Sequence, residues 1–192
     1  LDLMATHGAD ALRVGLLMIA PQGLDLLFSE DRIEQGRNFM NKLWNASRFI
    51  QMNLEDGKLP KIDLGSVELD MPERWILSQL NQTALKVNRQ LDRFHFNEAA
   101  KAIYEFTWSD FCDWYIEIAK TRFYGDNPEK ANMSRVVAVH VIQGILKLLH
   151  PYSPFITEEL WAQFRSDDDS DLIISPWLKG DPSMEDNNAD TT

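Results

Sequence analysis

The sequence predicts an all-α fold, an antiparallel bundle of four long helices with short additional helices. Three observations carry the prediction. Apolar residues recur at three- and four-residue steps along most of the chain, and only the short run DLIIS (171–175) reads as a strand. Pro and Gly fall between the periodic stretches, where they act as breakers. With 44% apolar residues among 192, the chain can bury a substantial core.

The elements follow in order. A first helix is expected from about Ala9 to Ala20 on Leu12, Leu16, Leu17 and Ile19, stopped by Pro21-Gln22-Gly23. Ser29 offers an N-cap, with acids in the first turn, for a long second helix that reaches about Met52. Its apolar set includes Ile33, Met40, Leu43, Trp44 and Ile50. The opposite face holds Arg37, Asn38, Asn41, Lys42, Asn45 and Arg48, with Phe49 near its edge. Residues 53–71 lack a sustained period and read as a loop. Pro72 suits the first turn of a third helix over 72–94. Asn97 is a candidate cap for a fourth, which runs to about Tyr124 and ends at Gly125-Asp126-Asn127-Pro128. A fifth spans about Asn132 to His150 on Val136, Val139, Ile142, Ile145, Leu146 and Leu149. Pro151 and Pro154 break it, Thr157 caps a short sixth helix, and the acidic remainder reads as loop.

Composition narrows the function. The net charge of −11 argues against phosphate binding by the surface as a whole. Its distribution is uneven. Eight acids against Lys179 alone leave the residues from Ser166 onward at −7, so the first 165 carry only −4. No acid lies between Glu34 and Glu55, a window that holds Arg37, Lys42 and Arg48. One cysteine cannot form an internal disulfide, which suits a reducing, cytosolic setting. No apolar run approaches the ~20 residues that a membrane-spanning helix needs, and no basic-then-apolar signal layout opens the chain. Beginning at Leu1 without an initiator methionine, it reads as a piece of something longer.

No catalytic constellation emerges. Cys112 has no histidine within a helical turn or two and reads as a buried core thiol. His7, His95, His140 and His150 are scattered, no His/Cys pair has zinc-ligand spacing, and the nine glycines form no phosphate-binding loop. No metal or cofactor is expected in this chain. In WSDFCDWYIEIAK (108–120) and just before it, Tyr104, Trp108, Phe111, Tyr115 and Ile118 form one helical stripe, expected in the core. Trp114 and Ile116 fall off that stripe, toward a second helix or a ligand, and Lys120 and Arg122 follow. Aromatics beside positive charge suit stacking on unpaired RNA bases, although such residues are more often structural. The basic, amide-rich face of the second helix suits base edges and phosphates, or simple solvation.

Four segments together resemble the valyl-tRNA synthetases, a branch of the class I aminoacyl-tRNA synthetases: GADALR (8–13), GRNFMNKLWNASRF (36–49), WSDFCDWYIEIAK (108–120) and LLHPYSPFITEELW (148–161). The resemblance covers about residues 1–165. It implies a fragment that recognises tRNA without catalysing, divided into a linking helix (1–28), a helical anticodon-binding domain (29–165) and an acidic segment (166–192) leading toward an absent coiled-coil arm. The signatures His-Ile-Gly-His and Lys-Met-Ser-Lys-Ser, which bind ATP in the family's catalytic domain, are absent, as is the editing domain.

Valine tRNAs carry adenine and cytosine at the second and third anticodon positions, and the family reads both. By motif position, Phe49 and Ile116 match the family's apolar contacts to the middle adenine, and Arg32 loosely matches a basic residue near the third base. Asn45, Arg48 and Lys120 join them from the helix faces. The family turn Gly-Gln-Asp is Gly23-Leu24-Asp25 here. The expected partner is tRNA of the valine isoacceptors, with no membrane, in a cytoplasmic monomer. The alternatives are the equivalent domain of an isoleucyl or leucyl enzyme, a helical protein-interaction module, and, least supported, an independent enzyme.

Overall fold

The apolar periodicity is realised as helix throughout the computed structural model, which describes residues 2–19, 30–60, 64, 68–166 and 170–184. The expected stop at Pro21-Gln22-Gly23, the Ser29 cap and the Gly23-Leu24-Asp25 turn lie outside the described residues. The helices are α1 (Asp2–His7), α2 (Ala9–Ile19), α3 (Glu30–Met52), α4 (Met71–Asp92), α5 (Phe96–Glu105), α6 (Ile116–Phe123), α7 (Pro128–Leu149) and α8 (Pro154–Phe164). A π-helical segment, Phe106–Tyr115, joins α5 to α6 without a break. Gly8, at φ +89°, makes the turn between α1 and α2, a conformation that favours glycine.

Two helix starts differ from those expected for one physical reason: proline opens a helix as readily as it breaks one. Pro128 is at the start of α7, four residues ahead of Asn132, and the Asn127 side chain caps it by accepting from the Lys130 N–H at 3.0 Å. Pro154 likewise opens α8, so Thr157 lies inside the first turn, where its Oγ1 donates to the Ser153 carbonyl at 2.7 Å. Asn97 is not a cap either. His95 holds the cap position before α5, and the Asn97 amide donates to Glu98. The run DLIIS is a 3-10 turn at Leu172–Ile174 instead of a strand; of the three turn residues only Leu172 is buried.

α3, α4, the α5–π–α6 helix and α7 form the four-membered bundle around one core, which includes Phe39, Leu43, Ile76, Ile103, Phe111, Tyr115, Ile142 and Leu146. The described part of the expected linking segment shares that core through Ala11 and Val14. α2 lies so close to α3 that a Cβ on Gly36 would stand 2.3 Å from the Ala11 carbonyl oxygen. Asp10 accepts from the Ile156 N–H at 2.7 Å, and Arg13 donates to the carbonyls of Pro151 and Tyr152 at 3.0 Å. The acidic segment also packs: Trp177 Nε1 donates to Asn88 Oδ1 at 2.7 Å, and Gly180 abuts Leu85. Apart from two 3-10 turns, residues 170–184 are loop, as expected, but a packed one: Ser170 and Leu172 bond to α8, and Trp177, Leu178 and Asp181 to α4.

The π segment resets the inward face. Each π turn takes in an extra residue, and the Ile116 N–H donates to the Phe111 carbonyl five residues back. Phe111 and Tyr115 are buried as expected, but the next inward residues are Ile116, Ala119 and Phe123. Ile118, expected in the core, is only half-buried, and Trp114 is exposed.

Candidate nucleic-acid interface

Antiparallel connectivity brings the last turn of α3, the residues after it, and the facing ends of α4, α6 and α7 to one end of the bundle. There Phe49 of α3 stacks on Phe123 of α6, with ring centroids 5.8 Å apart and planes 27° from parallel. Phe123 is buried and Phe49 half-buried, so the pair has a supported inner ring and an accessible outer one. The Lys120 Nζ lies 5.5 Å from the centre of the Phe49 ring, and the Arg135 guanidinium 5.9 Å from that of Phe123. Aromatic faces accept stacked bases, and adjacent cations suit phosphates. Met52 and Tyr124, 72% and 71% exposed, follow Phe49 and Phe123 in the sequence.

Local hydrogen bonds order this end. Asn53 Nδ2 donates to the Phe49 carbonyl at 2.8 Å, ending α3. Arg135 Nε donates to the Asn53 carbonyl at 2.7 Å and Nη1 to Glu55 at 2.9 Å. Lys120 pairs with Glu117 one turn back on its own helix. In this arrangement carboxylates engage both cations beside the aromatic stack.

A buried ionic network lies at the same end. Glu73, with 0% exposure in the first turn of α4, accepts from Arg122 Nη1 and from Ser134 Oγ, each at 2.7 Å. Arg122 Nη2 lies 3.3 Å from Asp70, which also pairs with Lys130 at 3.0 Å. The Lys130 hydrogen bond, supported by both positive charges, holds the Asp70 carboxyl below its ordinary range. Tyr115 donates its hydroxyl to the Ser134 carbonyl at 3.3 Å, and burial pushes its ionisation well above the usual value.

The six residues singled out from the sequence divide clearly. Phe49 and Lys120 meet, as above. Asn45 is exposed one helical turn before Phe49, on the same side of α3, and Arg48 is exposed at the preceding position, about 100° round the helix. Arg32 is exposed in the first turn of α3 and donates to Gln35 at 3.1 Å. It lies 17 residues before Phe49, about 25 Å along the helix at ~1.5 Å per residue, so it is not part of this end. Ile116 is 5% exposed: the π-helical phase shift turns it inward, and it does not offer an open apolar edge. Lys42, from the basic face of α3, sits 4.0 Å over the Trp108 ring and pairs with Asp113, so its charge is engaged within the fold.

A family model for the anticodon-binding domain of tRNA ligases matches residues 73–192. The chain belongs to that family. A valine–tRNA ligase of Fusobacterium nucleatum is 42% identical over 188 residues, covering 96% of this chain and 21% of the relative. One from Syntrophotalea carbinolica is 47% identical over 161 residues, 84% of this chain and 18% of the relative. The chain therefore spans about a fifth of the length of the curated relatives it matches. Among solved structures, a LeuRS–tRNA–LeuAMS complex from Agrobacterium radiobacter superposes with a TM-score of 0.72 at 22% identity, covering 96% of this chain and 21% of that one. Mycobacterium tuberculosis methionyl-tRNA synthetase gives 0.68 at 20% identity, covering 83% and 33%. At such identities these likenesses establish the shared helical fold.

Sequence reasoning did not single out Phe123 or Arg135, which complete this cluster in the structure. Phe123 stands three residues after Lys120, just past the run that drew attention, and its inward turn follows from the π segment. Arg135 reaches Asn53 across 82 positions in sequence, and nothing local foretells that pairing. Its one visible signal is a lone cation at the start of the apolar run VVAVHVI.

Proposed function

We propose that this chain is the anticodon-reading part of a valine–tRNA ligase. The single observation that carries the siting of recognition is the Phe49–Phe123 stack flanked by Lys120 and Arg135 at one end of the bundle. An unstacked anticodon base lies on the accessible Phe49 ring, and its Watson–Crick edge is in reach of the Asn45 and Arg48 side chains. Lys120 and Arg135 exchange their carboxylate partners for backbone phosphates. Ile116 contributes from beneath, as packing that supports this surface. Arg32, some 25 Å along α3, belongs to a different part of the tRNA from the middle base. The identity of about 40–47% to valine–tRNA ligases supports valine as the amino acid.

In this reading the parent enzyme joins valine to its tRNA with ATP, and the catalysis belongs to other domains. Residues 29–165 read the anticodon in a cytoplasmic enzyme. In the parent, 1–28 link this domain to the catalytic core, and 166–192 join it to the coiled-coil arm. Fluorescence anisotropy with an anticodon stem–loop of valine tRNA, and with one altered at the middle base, tests the reading. Preferential binding of the valine loop, weakening as salt rises, is the expected result. Equal binding of both loops, or no binding at low salt, refutes it.

A further inference from the structure

A fully buried carboxylate at an RNA-binding end needs a reason. Glu73 has no exposed surface, and each of its oxygens is satisfied by a different helix: Oε2 by Arg122 at the end of α6, Oε1 by Ser134 on α7. Burial of such a charge is tolerated only when it is paired and hydrogen-bonded, as here. Apolar residues of similar volume would hold three helices together equally well, so packing alone does not call for this ion pair. What the pair adds is direction. A guanidinium fork docked on a fixed carboxylate admits few orientations of the segment that carries it.

That segment is short. α6 is the last eight residues of the continuous α5–π–α6 helix, and its final turn has no further helix beyond it to fix its direction, so tertiary contacts must do so. Arg122 stands immediately before Phe123 and two residues after Lys120, the α6 residues that meet Phe49. Asp70 adds a second acceptor to the same guanidinium, itself held by Lys130. We propose that Glu73 is a positioning residue: acting through Arg122, it fixes the last turn of α6 so that Phe123 and Lys120 form one base-reading surface with Phe49. Glu73 itself touches no RNA. The inference rests on the anticodon-reading function proposed above and names a determinant of its specificity.

The test uses the 192-residue chain and the same two stem–loops, and reads the ratio of their affinities. Glu73→Gln keeps the shape and removes the charge. Leu160→Ala, at a fully buried position in α8 at the other end, serves as a comparison of lowered stability. In Glu73→Gln the ratio is expected to fall about tenfold toward unity, the worth of one base contact. In Leu160→Ala the ratio holds despite a lower melting temperature. Arg122→Lys, which keeps the charge but loses the fork, is expected to fall between. A folded Glu73→Gln variant that retains the full ratio overturns the inference, as does an equal loss in Leu160→Ala. Should near-UV circular dichroism show Glu73→Gln unfolded, Ser134→Ala replaces it. Removing one of the two hydrogen bonds is then expected to lower the ratio about threefold, roughly half the energetic effect, and an unchanged ratio overturns the inference. Failure of the unaltered chain to discriminate is a separate result. It overturns the function reading, and the positioning role with it.

Discussion

Replacing Phe49 by alanine removes one ring of the stack and leaves the other exposed to water. The cost to stability follows from its surroundings. Truncating a fully buried phenylalanine costs about 3–5 kcal/mol; Phe49 is half-buried, so about 2 kcal/mol is expected, including ~0.5–1.5 kcal/mol for the lost Phe123 pairing. For a chain of this length that lowers the melting temperature by roughly 4–8 °C. The effect on RNA is larger in consequence. Base stacking on an aromatic ring is worth about 1–3 kcal/mol by alanine substitution, so the valine stem–loop should bind about 5- to 150-fold more weakly. Most of its advantage over the middle-base variant should vanish. The assay is anisotropy at 10 °C, where the variant remains folded, paired with a thermal melt. Phe49→Leu separates bulk from face: it should recover most of the stability and little of the affinity. An alanine variant that melts lower yet binds and discriminates like the parent would falsify the placement of the base on Phe49.

Three further outcomes are expected. Glu117→Gln frees Lys120 from its carboxylate, and should raise affinity for the stem–loop about two- to threefold at low salt while steepening the salt dependence; weaker binding would contradict the idea that the cation is held in reserve. Burial pushes the Cys112 thiol up to about 12, so the native state keeps its proton while the unfolded thiol loses it near 9. The unfolded state then binds fewer protons, and stability should fall from about pH 9 upward with a slope approaching ~1.4 kcal/mol per pH unit for that group. Urea titrations of the parent and Cys112→Ala should diverge across that window; parallel curves would count against the burial. Gly36→Ala places a Cβ 2.3 Å from the Ala11 carbonyl oxygen, a backbone atom that can yield only by moving α2. A loss of about 2–3 kcal/mol is expected in chemical denaturation, and a loss under ~0.5 kcal/mol, the range of an indifferent surface change, would show that the helices slide apart freely.

Helix identity was legible because burial imposes its period on the sequence: α3, α4 and α7 each carry a continuous apolar stripe. Helix starts were less so. Proline has the same sequence signature as a breaker and as a first-turn residue, and Pro128 and Pro154 were read as the former. The π segment left no mark in the residue types. A one-residue change of phase within an unbroken helix is a backbone property, and it exchanged the environments of Ile116 and Ile118. Of the candidate interface, Phe49 and Lys120 were visible as an apolar edge and a nearby cation on separate helices. Their meeting depended on antiparallel packing, as did the reach of Arg135 back to Asn53. Glu73 looked like an ordinary first-turn acid, because its partners Arg122 and Ser134 lie 49 and 61 positions away.

The contact between α2 and α3 has a mechanical side. Where Ala11 meets Gly36 the two backbones touch, leaving no compliant side chain between them. From that fulcrum α3 runs unbroken to Met52 and carries Phe49 about 20 Å away, at ~1.5 Å per residue. A tilt of ~5° about the crossing would swing the ring by roughly 1.7 Å, about half the thickness of a stacked base. Whatever grips α2 therefore holds the short arm of a lever whose long arm ends at the Phe49 ring.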